Sequence, residues 1–162
     1  EGCNNCHSQM IRPFRHETER YGEYSKAGEF VYDHPFMWGS KRTGPDLHRI
    51  GGKYPDSWHY NHMDDPTTMS PGSIMPAYSW LLTDDLDTST TVAKIKAMQT
   101  FGVPYDKGFE LVANDSLNAQ SMRIAANLKE SGIKTPHQKE IIAVIAYLQR
   151  LGTDIKGSKN PN

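Results

Sequence analysis

The residue types best suited to chemistry stand together in Cys3-Asn4-Asn5-Cys6-His7, and the 162-residue chain has no other cysteine. On a helical turn, positions i, i+3 and i+4 share one face. Two thiols so placed can add across the two vinyl groups of a single porphyrin. The imidazole of the next residue then reaches the iron from one side. CxxCH is the attachment signature of a c-type haem. A structural zinc site needs four protein ligands, and this cluster supplies three. A disulfide across so short a loop would stabilise little. Scarce cysteines also suit an oxidising compartment.

A haem held by His7 needs a ligand on its other face, and the sequence offers seven methionines. Met10 is too near the attachment turn to cross the porphyrin. Met98 falls on the stripe Val92-Ile95-Met98, which reads as core. Met122 lies in a mixed polar helix, and Met63 ends a short helix where packing is its expected role. Met37, Met69 and Met75 remain. Met75 stands in Ser73-Ile74-Met75-Pro76-Ala77-Tyr78, a loop stiffened by Pro71 and Pro76, and is the preferred thioether. Met69, among Thr67, Thr68 and Ser70, is next, in a polar setting that suits solvent.

Pro45, in Gly44-Pro45-Asp46-Leu47, has a fixed φ and a carbonyl without an N–H. A ligating histidine donates its other N–H to such an oxygen, so Pro45 is expected to orient His7. Gly51-Gly52 allows a close backbone approach. His59 and His62 have the spacing of a metal pair but bring no third ligand. Aromatic residues are dense between Tyr21 and Trp80 and can wall a haem.

The elements that position these residues read as helices. One spans about Thr88 to Phe101 and is stopped by Gly102. Another spans about Ser116 to Glu130 and is stopped by Gly132. A third begins with Thr135 as cap, Pro136 at its first position and Gln138 closing a capping box. It carries Ile141, Val144, Ile145, Leu148 and Leu151 on one stripe and ends at Gly152. Residues 153–162 read as a polar frayed tail. The run Ile141 to Leu148 is far short of the roughly 20 residues that span a bilayer. With 18 Lys+Arg against 19 Asp+Glu and no basic stripe, nucleic acid is not an expected partner.

CxxCH at the start, GPDL, MPAY and the terminal IIAVIAYLQRLG together resemble a class I cytochrome c domain. A closer resemblance covers most of residues 1–82. CNNCHSQMIRPFRHETER (residues 3–20), YDHPFMWGSKRTGPDLHRI (residues 32–50) and residues 73–78 are similar to the membrane-anchored monohaem subunit of the cbb(3)-type cytochrome c oxidases. The similarity resumes at Phe101-Gly102-Val103-Pro104-Tyr105 and in the last helix. The resemblance implies an all-α fold around one covalent haem c, with extra helices before the C-terminal one. Residues 1–152 form the expected domain: a haem-binding part (1–82), a helical insertion (83–134) and the last helix (135–152).

It also implies that Cys3 and Cys6 carry the haem while His7 and Met75 ligate iron. The chain would relay electrons from a dihaem cytochrome c subunit to the catalytic haem–copper subunit, where oxygen is reduced. It would do no chemistry of its own. The expected place is the periplasmic face of the bacterial inner membrane, held by an N-terminal anchor upstream of Glu1. A docking region is expected at Gln9 to Arg20, with Arg12, Arg15 and Arg20. The rival readings are a free soluble electron carrier, a haem enzyme or sensor with an open iron position, and a haem domain fused to a dehydrogenase.

Overall fold

A computed structural model describes residues 1–39 and 41–154. Its regular elements are helical: α1 (Arg15–Tyr21), α2 (Asp56–Asp64), α3 (Pro66–Met69), α4 (Trp80–Thr83), α5 (Thr91–Thr100), α6 (Phe109–Glu130) and α7 (Glu140–Arg150), with 3-10 turns at Cys3–Asn5 and Ala27–Phe30. The described residues hold no strand, only a single antiparallel bridge between Asp85 and Lys139. The all-α expectation holds. The described residues divide into two compact units, one of residues 1–53 and 148–154, the other of residues 54–147.

The first unit buries few apolar side chains, namely Ile11, Leu148 and Leu151. Ser8, Glu17, Glu29, Asp46 and His48 are buried beside them, so the unit depends on satisfying polar groups away from water. The end of α7 is received by the Gly51-Gly52 loop. A Cβ on Gly51 would lie 2.4 Å from the Leu151 carbonyl oxygen, and the Gly52 N–H donates to Gln149 Oε1 at 2.9 Å. Arg150 stacks over Tyr32 with its guanidinium carbon 4.4 Å from the ring centre. It also pairs with Asp154 at 2.8 Å. Thr153 and Asp154 are the described part of the expected polar tail, and the rest of it lies outside the described residues.

The second unit holds the larger apolar core: Leu81, Val103, Ile124, Leu128, Ile141, Ile142 and Ile145. Here α2 packs on α3 and α6, and α5 packs on α6. Three expectations change. The helix α6 begins at Phe109, not near Ser116, after Gly108 at φ 88°. Its first turns escape the sequence pattern because Leu111 and Val112 face solvent and only Ala113 is buried there. The stripe Val92-Ile95-Met98 is not core, since α5 buries none of its residues. Finally, α7 starts at Glu140, so Thr135, Pro136 and Gln138 do not cap it. The backbone just before it pairs with the chain after α4. Leu86 donates to the Gln138 carbonyl at 2.8 Å, and Glu140 donates to the Asp84 carbonyl at 3.0 Å. Val144 is half-buried, and Ile142 takes a place in the core that the stripe did not give it.

Gly152 closes α7 at φ 74°, and a Cβ there would lie 2.3 Å from the His48 carbonyl oxygen. Gly152→Ala therefore combines a left-handed backbone with a clash against main chain. It is expected to cost about 1–3 kcal/mol, read as a lowered urea midpoint with an unchanged slope.

Candidate functional site

The run Cys3–His7 winds into one tight turn. Gly2 enters it at φ 71°. The N–H groups of Cys6 and His7 both donate to the Cys3 carbonyl, at 3.1 and 2.8 Å. Both cysteines are exposed, free thiols, so the pair is open to attachment chemistry. His7 is fixed from a distant part of the chain. Its Nδ1 lies 2.7 Å from the Pro45 carbonyl oxygen. A carbonyl only accepts, so Nδ1 carries the proton and Nε2 keeps its lone pair for a metal. Gly44 lies against the ring, where a Cβ would be 2.2 Å from His7 Cε1. Its N–H donates to the Cys6 carbonyl at 2.9 Å. Gly39, at φ 65°, meets the turn from another side, 2.3 Å from the His7 carbonyl oxygen by the same construction.

Behind this turn runs a chain of polar contacts that the sequence pattern did not reveal. The Ser8 hydroxyl donates to Asp46 Oδ2 at 2.6 Å and accepts from Arg42 Nε at 2.6 Å. Asp46 also accepts from the backbone N–H groups of Met10, at 3.0 Å, and His48, at 2.9 Å. Arg42 Nη2 donates to the Met10 carbonyl at 2.9 Å and to Glu17 Oε2 at 2.7 Å. Glu17 is 1% exposed, and it also receives the backbone N–H and the guanidinium of Arg12. Arg12 is thus paired within the chain, while about half of its side chain stays exposed. Arg15 pairs with Glu19, four residues along the exposed face of α1. The only sequence signal for this network is Asp46 beside Pro45, since the pairs Glu17–Arg42, Ser8–Arg42 and Ser8–Asp46 are 25 to 38 residues apart.

The thioether candidates fall in both units. In the first, Met10 and Met37 are exposed; in the second, Met122 is exposed and Met63 is buried. Met75 is half-buried, and its N–H donates to Ser73 Oγ at 3.2 Å. The loop carrying it is fastened to α2, where Tyr78 donates to the Met63 carbonyl at 2.8 Å. Met69 ends α3, which Asp65 caps through the Thr67 N–H at 2.9 Å. It is half-buried rather than turned to solvent as expected. No group of three or more His, Cys, Asp or Glu residues capable of holding a metal occurs among the described residues. His62 is stacked on Trp58 at 4.5 Å.

The residues present fit a c-type haem. Two free thiols share one turn, an imidazole is held by its Nδ1, and a Gly44 cradle admits the ring only because it has no Cβ. A family model described as cytochrome c oxidase, mono-heme subunit/FixO, matches residues 1–155. No curated protein matches the chain.

The Glu17 carboxyl is held down at about 2, chiefly by the Arg42 hydrogen bond and also by Arg12, against burial that pushes it up. A folded-state value below the ordinary 4.5 means this stability is complete above that pH and is lost as pH falls toward 2. Glu17→Gln is expected to cost about 1–3 kcal/mol at neutral pH. It should also flatten the acid limb of a stability-against-pH curve measured by denaturant titration.

Proposed function

Because the chain belongs to the FixO family of mono-haem cytochrome c oxidase subunits, we propose that it relays single electrons to the subunit that reduces oxygen. Cys3 and Cys6 would carry the haem covalently, and His7 and Met75 would ligate its iron. The observation that carries this reading is the His7 Nδ1–Pro45 contact of 2.7 Å, which frees Nε2 and fixes its direction. Bound haem supplies an iron that cycles between ferrous and ferric. The protein supplies ligation, burial and electrostatics.

Each residue has a separable part in this reading. Pro45 sets the tautomer of His7 and makes it a better donor. Gly44 lets the ring lie flat against the chain. The soft Met75 thioether favours the ferrous state and raises the potential. Two ligands kept in both oxidation states would leave oxygen and peroxide no place on the iron. The chain therefore transfers electrons without turning over a substrate, and oxygen reduction belongs to its partner.

The partners proposed are a dihaem cytochrome c subunit as donor and the catalytic haem–copper subunit as acceptor, as in a cbb(3)-type oxidase. The proposed place is the periplasmic face of the bacterial inner membrane, held by an N-terminal anchor. No described helix is long and apolar enough to cross a membrane.

Matured with haem, the protein should hold one haem c per chain by pyridine haemochrome, and acid–acetone should not extract it. Extractable haem would overturn the attachment. Met75→Ala should abolish the ferric far-red charge-transfer band, admit carbon monoxide to ferrous iron, and lower the potential by a sizeable part of the ~0.8 V that axial ligands span. Met69→Ala should do none of this; the reverse pattern would make Met69 the ligand. Gly44→Ala should displace the His7 ring, seen as a loss of low-spin haem in the optical spectrum.

A further inference from the structure

Two side-chain contacts in the first unit join residues 7–8 to residues 45–46, each across 38 positions of sequence. One is the His7 Nδ1 contact with the Pro45 carbonyl. The other, one residue further along both stretches, is the Ser8 hydroxyl on Asp46 Oδ2 at 2.6 Å. The second has no part in ligation, yet its chemistry is the stronger, because a hydrogen bond to a carboxylate exceeds one between neutral groups. It is also shielded from water, with Ser8 at 5% and Asp46 at 6% exposure.

Pro45 has no N–H and no polar side chain, so its carbonyl is aimed by its neighbours. On one side the Gly44 N–H donates to the Cys6 carbonyl at 2.9 Å; on the other the Leu47 N–H donates to the Ser8 carbonyl at 2.9 Å. Between them Asp46 accepts three hydrogen bonds. Its Oδ2 takes the Ser8 hydroxyl and the Met10 N–H, and its Oδ1 takes the His48 N–H. The Pro45 carbonyl belongs to the peptide unit that leads into Asp46. Swinging it away from His7 turns the φ of Asp46 and pulls the carboxylate off these donors.

Arg42 settles the direction of the Ser8 hydroxyl. Its Nε donates to Ser8 Oγ at 2.6 Å. A guanidinium only donates, so the hydroxyl proton is left to point at Asp46.

We propose that Ser8 and Asp46 are a positioning pair for the iron ligand: their hydrogen bond keeps the Pro45 carbonyl on His7 Nδ1 and so sets the donor strength of the imidazole. The proposal rests on the haem-ligation reading above and adds to it the two residues that decide how strongly His7 binds. A well-placed carbonyl raises the basicity of the ligand. A more basic imidazole favours ferric iron. The pair therefore holds the potential down, against the thioether that raises it.

The test compares the haem-loaded native protein with Ser8→Ala and Ser8→Thr. Ser8→Ala removes the hydroxyl and leaves every charge in place. A loosened carbonyl then makes the midpoint potential rise. A purely electrostatic role gives the opposite sign, since the hydroxyl dipole that offsets the Asp46 charge is gone and ferric iron gains. The His7 Nδ1–H, followed by nitrogen-15 NMR of the ferrous state, should exchange with water roughly fivefold faster in Ser8→Ala, as one lost hydrogen bond implies. Ser8→Thr restores the hydroxyl and should return both readings towards native. A lowered or unmoved potential in Ser8→Ala, or unchanged exchange, would overturn the proposal, as would equal changes in the two variants, which mark a packing role. The native optical spectrum reports ligation separately: a native ferric haem that is not low-spin fails the ligation reading instead.

Should Ser8→Ala not fold or take up haem, hydrogen exchange of the native protein in rising urea decides. The Met10 and His48 amides, which donate to Asp46, should open together with the His7 Nδ1–H as one cooperative unit. A His7 Nδ1–H that opens apart from both amides overturns the assignment.

Discussion

The contact between the His7 imidazole and the Pro45 carbonyl is the constraint on which the rest of the first unit depends. An imidazole free to rotate, or to place its proton on either nitrogen, makes a poor permanent ligand. Here the proton is assigned by an acceptor that cannot donate, on a residue whose φ is fixed. The ring's other face is closed by Gly44, where no larger residue fits. The attachment turn then follows as a short local structure, with two N–H groups sharing the Cys3 carbonyl. Its stiffness comes from the loop that it meets 38 residues later.

That loop is itself held by charge. The buried carboxylates Asp46 and Glu17 sit on either side of Arg42, and the hydroxyl of Ser8 joins the set just after His7. Removing one member leaves another buried without its partner, which is costly. The first unit thus buries little hydrocarbon, and its fold uses hydrogen-bonded pairs where a larger protein would use a core. A porphyrin seated there would supply the missing apolar body. This is a reason for such a unit to be stable chiefly when loaded.

How much of this the sequence disclosed depends on the range of the interaction. The attachment turn is local, and five residues announce it. Pro45 carries its own signal, because a proline carbonyl in a Gly-Pro turn has few other uses. The methionines could be narrowed by their neighbours, but their settings could not be ranked fully, as the half-buried Met69 shows. The Glu17–Arg42 and Ser8–Asp46 pairs could not be read at all, since charged residues on an exposed-looking run have no period. The apolar periodicity that located α7 says nothing about a backbone bridge, so its start was misplaced by the pairing around Asp84–Leu86 and Gln138–Glu140. In α6 the first turns expose Leu111 and Val112, so the pattern that marks a buried face is missing there.

The proposed function makes one requirement of these elements: iron held between a fixed imidazole and a thioether, with nothing left open. Iron K-edge X-ray absorption of the haem-loaded native protein measures that directly, in both oxidation states. One sulfur scatterer beside five nitrogens, retained from ferric to ferrous, is the expected result. A shell of nitrogen and oxygen alone, or a sulfur lost on oxidation, would contradict it.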